Sequence, residues 1–214
     1  MHLTISKNNV DLSPGGEVIL RHQTWADYEE LLESRQDRAA IKIYFDAKTQ
    51  EIRIMAPLPG HGKKSDTLSD LVKSLLRYQG KDWESFDPIT LKRLEQKSLE
   101  PDACFYIQHR EAILGKDRID LETDPPPDLA LEIDFTSSTK PEDYQMIGVP
   151  ELWIYRDQDL YIYLFNGQQY QESPKSLLFS ELPIKQLIPE YVERAWKEGS
   201  SIALRAFENH LQAR

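Results

Sequence analysis

The sequence is poor in cysteine: Cys104 is the only one among 214 residues, so no disulfide can form within the chain. A zinc site built from paired cysteines is excluded for the same reason, and no two histidines have the spacing of a zinc metalloprotease. Cys104 stands between Ala103 and Phe105 in a strand-like run, which favours a small buried residue over a nucleophile. Such sparse use of cysteine is typical of a reducing cytoplasm.

Long hydrophobic runs are also missing. No stretch approaches the roughly 18 uninterrupted apolar residues that a membrane helix needs, and residues 1–7 lack the apolar core of a secretory signal. We therefore expect a cytoplasmic protein with no membrane partner. No G-x-S-x-G motif indicates a serine hydrolase. Residues 60–65 do not form a phosphate-binding loop, because Pro57 and Lys64 occupy positions that require glycine and a hydroxyl residue.

Positive charge is scarce in the chain as a whole, whose formal net charge is −10. This argues against a surface that attracts nucleic acid everywhere, because phosphate binding depends on lysine and arginine. Residues 61–97 are the exception, since eight lysines and arginines there outnumber six acids. Two interpretations of this excess stay open: an ordinary solvated helix face, and a local surface that follows a phosphate backbone.

What the sequence does contain is enough apolar material for one core, with 40% hydrophobic residues and no repeat or long linker. We expect a loose N-terminal lead-in over residues 1–17 and a single domain over residues 18–214. Thr24 and Asp27 have the spacing of a capping box and indicate a helix. Apolar residues then alternate over residues 41–45 and 52–54, as in a β-hairpin.

A longer helix is predicted from about His61, because five apolar residues follow at helical intervals. They are Leu68, Leu71, Val72, Leu75 and Leu76. A turn of 100° per residue places His61 near the centre of this stripe, so its side chain should face the interior, while Asp66 and Asp70 face away.

Strands and turns alternate through the remainder of the chain. Strands are predicted at residues 89–94, 103–107, 129–135, 152–155 and 160–165, a short helix at 141–147, and turns and helices at 182–211. This order predicts an α/β fold, in which a central mixed sheet is flanked by helices and preceded by an N-terminal helix and β-hairpin.

Two of the predicted strands carry acids where apolar residues are expected. Glu132 lies between Leu131 and Ile133, and Asp134 shares its face by the strand period of two. Asp102 opens the preceding strand. A buried carboxylate needs a partner, a metal or a chemical role. Neighbouring carboxylates of this kind can hold a hard cation such as Mg²⁺, and a structural network of salt bridges explains the same acids equally well.

The run PPDLALEIDFTSSTKPEDYQMIGVPELWIY resembles the signature of the Uma family of restriction-endonuclease-like proteins, within the PD-(D/E)XK nuclease superfamily. The segments IMAPLPGHG, LEPDACFYIQ and LLFSELPIKQLIP, followed by ALRAF, complete the pattern, so the resemblance extends from about Val18 to Phe207. It implies a restriction-endonuclease-like core and an endonuclease that depends on Mg²⁺ or Mn²⁺ and acts on DNA.

The resemblance also implies site residues. Asp102 matches the metal-binding aspartate and Glu132 the acid of the E-x-K element, so both would be metal ligands and catalytic. The lysine of that element would stand at position 134, where this chain has Asp134. In the Uma pattern a lysine precedes a tyrosine by four residues, just before G-V-P-E, and Lys140 keeps that spacing. Lys140 is therefore implied as the catalytic lysine, with Asp134 and His61 in supporting roles.

One departure from the family keeps a rival interpretation open. Gly62 stands where the family often has an acid after the histidine. Two roles stay open for His61. It contacts a water or a phosphate, or it is a core histidine whose hydrogen bonds are made within the protein. The rival function is a catalytically silent module on the same fold that binds nucleic acid or a protein. A homodimer is also considered: the apolar hairpin over residues 153–165 suits either a dimer interface or, as its composition favours, the core.

Overall fold

The structure is a computed structural model that describes residues 3–5, 10–35, 41–134 and 139–214. Its α-helices are α1 (Trp25–Arg35), α2 (Pro59–Tyr78), α3 (Arg110–Ile113), α4 (Ile184–Glu198) and α5 (Ser200–Gln212), and Pro141–Tyr144 form a 3-10 helix. None of these described helices combines the length and the apolar character that crossing a bilayer demands.

The strands of the described residues form a strand pair and two larger sheets. The pair consists of β1 (Leu3–Ile5) and β2 (Val10–Leu12). The five-stranded sheet has, from edge to edge, β3 (Glu17–Arg21), β5 (Glu51–Met55), β4 (Lys42–Asp46), β8 (Lys97–Leu99) and β7 (Leu91–Arg93). The six-stranded sheet has, in the same manner, β13 (Tyr170–Ser173), β12 (Asp159–Phe165), β11 (Glu151–Arg156), β10 (Leu129–Asp134), β9 (Ala103–Tyr106) and β6 (Glu84–Phe86).

The six-stranded sheet is mixed, because β10 and β11 run parallel while its other neighbours are antiparallel. Helices α2, α4 and α5 cover one face, and their apolar residues pack against Leu129, Leu131 and Ile133 of β10. The opposite face holds Cys104 and Ala130, which pack against the segment that follows the 3-10 helix. The alternation along β10 therefore points Glu132 away from α2, towards this second face.

The N-terminal part forms its own layer, in which α1 packs on the hairpin of β4 and β5 through the apolar residues that the sequence places there. The capping box is present: the Thr24 N–H donates to the Asp27 carboxylate at 2.8 Å. The chain then passes from β8 in one sheet through residues 100–102 to β9 in the other. Asp102 consequently lies at the junction of the two sheets.

The predicted fold class, a mixed sheet flanked by helices after an N-terminal helix and hairpin, is confirmed. The hairpin over residues 153–165 belongs to the core, as its composition favours: Trp153, Ile154, Leu160 and Ile162 are buried. The helix predicted over 141–147 is observed as a shorter 3-10 helix, Pro141–Tyr144. A turn follows it, in which the N–H groups of Ile147 and Gly148 both donate to the Tyr144 carbonyl. The predicted strand over 129–135 is observed to Asp134, and its last residue lies outside the described residues.

Candidate functional site

Asp102 stands directly before β9, and Glu132 lies on the neighbouring strand β10 of the six-stranded sheet. Ala103 pairs with Leu131 in the antiparallel register of β9 and β10, and the Asp102 N–H donates to the Leu131 carbonyl at 3.1 Å. Both side chains are buried, and the negative charge of Asp102 raises the pKa of Glu132. The two acids that the sequence singles out therefore share one place in the fold.

The Asp102 carboxylate accepts hydrogen bonds from three sides. Oδ1 accepts from the Lys42 ammonium and lies 2.6 Å from Nε2 of His61, while Oδ2 accepts from the Ile133 N–H at 2.7 Å. Burial opposes the charged form, but Lys42 and His61 outweigh it and hold the pKa of Asp102 well below its usual range. Asp102 is thus a buried, ionised carboxylate, and the inward His61 is its hydrogen-bond partner.

Glu132 has a different environment. Its Oε1 accepts a hydrogen bond of 2.5 Å from the Tyr144 hydroxyl, and both side chains are buried. Burial raises the pKa of Glu132 to about 8, and the negative charge of Asp102 adds to this, although Lys42 and the Tyr144 hydrogen bond act against it. The pair therefore combines one ionised carboxylate with one that holds its proton near neutral pH.

Lys42 reaches this pair from the other sheet, and the segment at residues 100–102 explains how. Glu100 is buried and accepts hydrogen bonds from the Ile43 N–H at 3.1 Å and from Arg35 at 2.7 Å. This fixes β4 against the sheet junction, so Lys42 projects onto Asp102. Burial alone lowers the pKa of Lys42, but the charges of Asp102 and Glu132 outweigh it and raise that pKa.

Lys140 lies at the edge of a cleft that Glu132 and Tyr144 also line. It is the N-cap of the 3-10 helix, and its N–H faces the Asp143 carboxylate at 3.4 Å. Its side chain is exposed. Among the described residues, the Lys140 ammonium forms no ion pair with Asp102 or Glu132. Lys140 and Glu132 are related only as residues that line the same cleft.

Asp134 is buried and neutralised by a different partner. The guanidinium of Arg156 donates to its Oδ2, at 3.0 Å from Nε, and the Thr139 hydroxyl donates to Oδ1 at 2.8 Å. These bonds tie the end of β10 to β11 and to the start of the 3-10 helix. Asp134 therefore supports the chain on both sides of the cleft.

The basic side chains of residues 61–97 are engaged with the protein. Five of the eight form ion pairs, namely Lys64, Lys73, Arg77, Lys92 and Lys97. Lys63 lies over the ring of Trp196 at 4.9 Å. This pairing argues against a surface dedicated to phosphate.

Three residues of the site are absent from the sequence-based set: Lys42, Tyr144 as a hydrogen-bond donor, and Lys97. Lys97 is buried at the cleft and bridges Asp46 at 2.8 Å and Asp143 at 2.9 Å. Of these three residues, only Tyr144 has a signal in the sequence, because it is the tyrosine of the family pattern. That pattern gives its spacing from Lys140 but not its hydrogen bond to Glu132. The two lysines carry no local signal, because their partners are far away in the sequence.

The donor set suits a hard cation. Mg²⁺ is commonly held by one or two carboxylates, with water and substrate phosphate completing its shell. Asp102 and Glu132 are such a pair, and the Lys42 ammonium donates to Oδ1 of Asp102 beside them. Within the described ranges no group of three or more His, Cys, Asp or Glu residues has the arrangement to hold a metal. A cation here therefore depends on the two carboxylates.

Comparison with known proteins identifies the family of this chain. A solved structure of similar fold is a "putative nuclease belonging to DUF820" from Anabaena variabilis, with a TM-score of 0.52 and 17% identity, covering 77% of this chain and 98% of that one. No curated protein matches the sequence. The sequence model of the Uma2 family, described as "Putative restriction endonuclease", matches residues 25–196. The chain therefore belongs to the Uma2 family.

Proposed function

We propose that this protein is a metal-dependent nuclease that hydrolyses phosphodiester bonds in DNA, with Asp102 and Glu132 as ligands of Mg²⁺ or Mn²⁺. The observation that carries the proposal is the position of these two buried carboxylates in a chain of the Uma2 family. Asp102 directly precedes β9 and Glu132 lies on β10, and the register of these two strands pairs Ala103 with Leu131. The low content of positive charge does not oppose it, because cleavage depends on the site rather than on the mean surface.

The surrounding residues hold the two carboxylates in place. His61 and the Ile133 N–H fix the two oxygens of Asp102, and Tyr144 fixes Glu132. When bound, the cation neutralises charge on the phosphodiester and makes water more acidic. We assign His61 to positioning Asp102, since their contact is direct.

Lys140 is proposed to face the phosphate or the attacking water. Lys140 is exposed and lines the same cleft as Glu132, and its backbone starts the helix that carries Tyr144. Arg156 neutralises Asp134, so the acid at the usual position of the lysine adds little negative charge towards a phosphate. Arg53 also lines the cleft, and its guanidinium pairs with Glu17 at 3.0 Å.

The test is cleavage of supercoiled plasmid by protein stripped of metal and then supplied with Mg²⁺ or Mn²⁺. We expect nicked or linear product with the wild type and none with Glu132→Gln, which keeps the size of the side chain. Glu142→Gln is the matched control, because Glu142 is exposed on the 3-10 helix. Equal behaviour of the wild type and Glu132→Gln across both metals and several DNA substrates would overturn the proposal.

The silent-module alternative gives a different result in the same samples. It expects DNA binding that weakens steeply with salt and is not followed by cleavage. Sedimentation of the same preparations tests the homodimer, which stays a prediction.

A further inference from the structure

Lys42 is a buried lysine beside the two carboxylates, with 4% of its surface exposed. It donates to Oδ1 of Asp102 and interacts electrostatically with Glu132. A charged group is costly to bury unless a partner compensates it. Asp102 and Lys42 therefore form a neutral unit that needs no additional ion.

The position of Lys42 is imposed by the backbone around it. Its neighbour Ile43 donates its N–H to Glu100, and the Tyr44 hydroxyl donates to the Glu100 carbonyl at 3.3 Å. Asp102 lies two residues beyond Glu100. These bonds hold β4 in one register against residues 100–102. The backbone therefore places the Lys42 ammonium at Asp102.

A second cation at Asp102 would meet this ammonium. Oδ2 is occupied by a backbone N–H, and Oδ1 is shared by Lys42 and His61. Of these donors, Lys42 is the one that carries its positive charge on a long, flexible side chain, which can move away from Oδ1. Two cations a few ångströms apart in a buried site repel strongly.

We infer that Lys42 is the resident counter-ion of the candidate site and competes with a divalent cation for Asp102, so that this lysine sets the metal affinity of the site. The inference rests on the proposed function, because it takes Asp102 as a metal ligand. It assigns to Lys42 a positioning role: the side chain keeps the carboxylates compensated until it releases Oδ1.

The test is calorimetric titration of metal-stripped protein with Mn²⁺ in the absence of DNA. Lys42→Met should bind Mn²⁺ at least about ten-fold more tightly than the wild type, because a neighbouring positive charge is removed. Lys175→Met removes an exposed lysine on the loop after β13 and should leave the affinity unchanged. Adding Asp102→Asn to Lys42→Met should abolish the gain, since the contested oxygen is altered.

Because Lys42→Met leaves the buried Asp102 carboxylate without its counter-ion, Lys42→Gln, which keeps a hydrogen-bond donor, provides a second measurement. Saturating Mn²⁺ should raise the melting temperature of Lys42→Gln by more than that of the wild type, since binding to the native state stabilises it. Equal or weaker Mn²⁺ binding by the folded Lys42 variants overturns the competition while leaving the proposed nuclease intact. Absence of Mn²⁺ binding in the wild type and in every folded Lys42 variant overturns both.

Discussion

Tyr144 donates its phenolic hydrogen to the Glu132 carboxyl at 2.5 Å, joining the 3-10 helix to the middle of β10. The two residues are twelve positions apart, and both side chains are buried. The bond therefore fixes the helix that begins after Lys140 against the strand that carries Glu132. It relates the candidate catalytic lysine to the candidate metal ligand without any direct contact between them.

Tyr144→Phe removes this hydrogen bond and keeps the ring. We expect the free energy of unfolding to fall by about 1–2 kcal/mol, the usual cost of leaving a buried acceptor without its donor. Urea unfolding at neutral pH measures the change. Tyr78→Phe is the control, because the Tyr78 ring is exposed on α2. If both variants unfold at the same urea concentration as the wild type, the bond does not stabilise the helix.

The pH dependence of stability should show the environment of Glu132. Its pKa is raised from 4.5 to about 8 in the folded protein. A carboxyl with a raised folded pKa contributes stability that is fully present below its unfolded pKa and is lost as the pH rises through the folded one. The metal-free protein should therefore become less stable between about pH 4.5 and pH 8, by an amount on the order of a few kcal/mol.

Glu132→Gln isolates this effect, because glutamine has no titrating carboxyl. Urea unfolding in a chelator from pH 5 to pH 8.5 should give a flatter profile for the variant than for the wild type. A wild-type profile as flat as that of the variant would mean that Glu132 ionises freely in the fold. Added Mn²⁺ should reduce the loss of stability at the high end, because binding favours the ionised carboxylate.

The sequence predicts Asp102 and Glu132 as neighbours because the information is local. Each acid interrupts or opens an apolar strand, and strands that follow each other in the chain commonly pair. His61 is likewise predicted to face inward, since the helical period alone determines its direction. Its contact with Asp102 is new information, because it depends on where the N-terminal end of α2 meets the sheet junction.

Lys42 could not be found in the same way. The alternation in β4 assigns Ile43 and Phe45 to the core beneath α1, which places Lys42 on the opposite face. For an isolated hairpin that face is solvated. Here the second sheet covers it, and a buried position follows only from the tertiary arrangement around Glu100. The quoted motifs of the Uma pattern include no residue of this strand, because the first of them, IMAPLPGHG, begins at Ile54.

Glu100→Gln tests the connection that places Lys42. The Glu100 carboxylate accepts from Arg35, from the Ile43 N–H and from the Thr90 hydroxyl at 2.6 Å, so a glutamine amide would face donors with a donor. We expect a loss of roughly 2–4 kcal/mol in the free energy of unfolding, typical of breaking a buried charged network. Glu111→Gln, on the exposed side of α3, should change it little. Comparable stability of the two variants in urea would show that β4 is held by other contacts.

Lys140→Met distinguishes the role of Lys140 in DNA cleavage from the role of Lys42 in metal affinity. Lys140 is exposed at the cleft, so its loss should leave the Mn²⁺ affinity unchanged and lower the rate of DNA cleavage at saturating Mn²⁺ by about 100-fold, a typical cost of removing one group that stabilises transition-state charge. Lys140→Arg should recover part of the rate because it restores the charge. Lys175→Met is the control for an exposed lysine elsewhere. Cleavage by Lys140→Met at the rate of that control would remove Lys140 from the chemistry, and Arg53 and Lys97, the other basic residues that line the cleft, would be tested next.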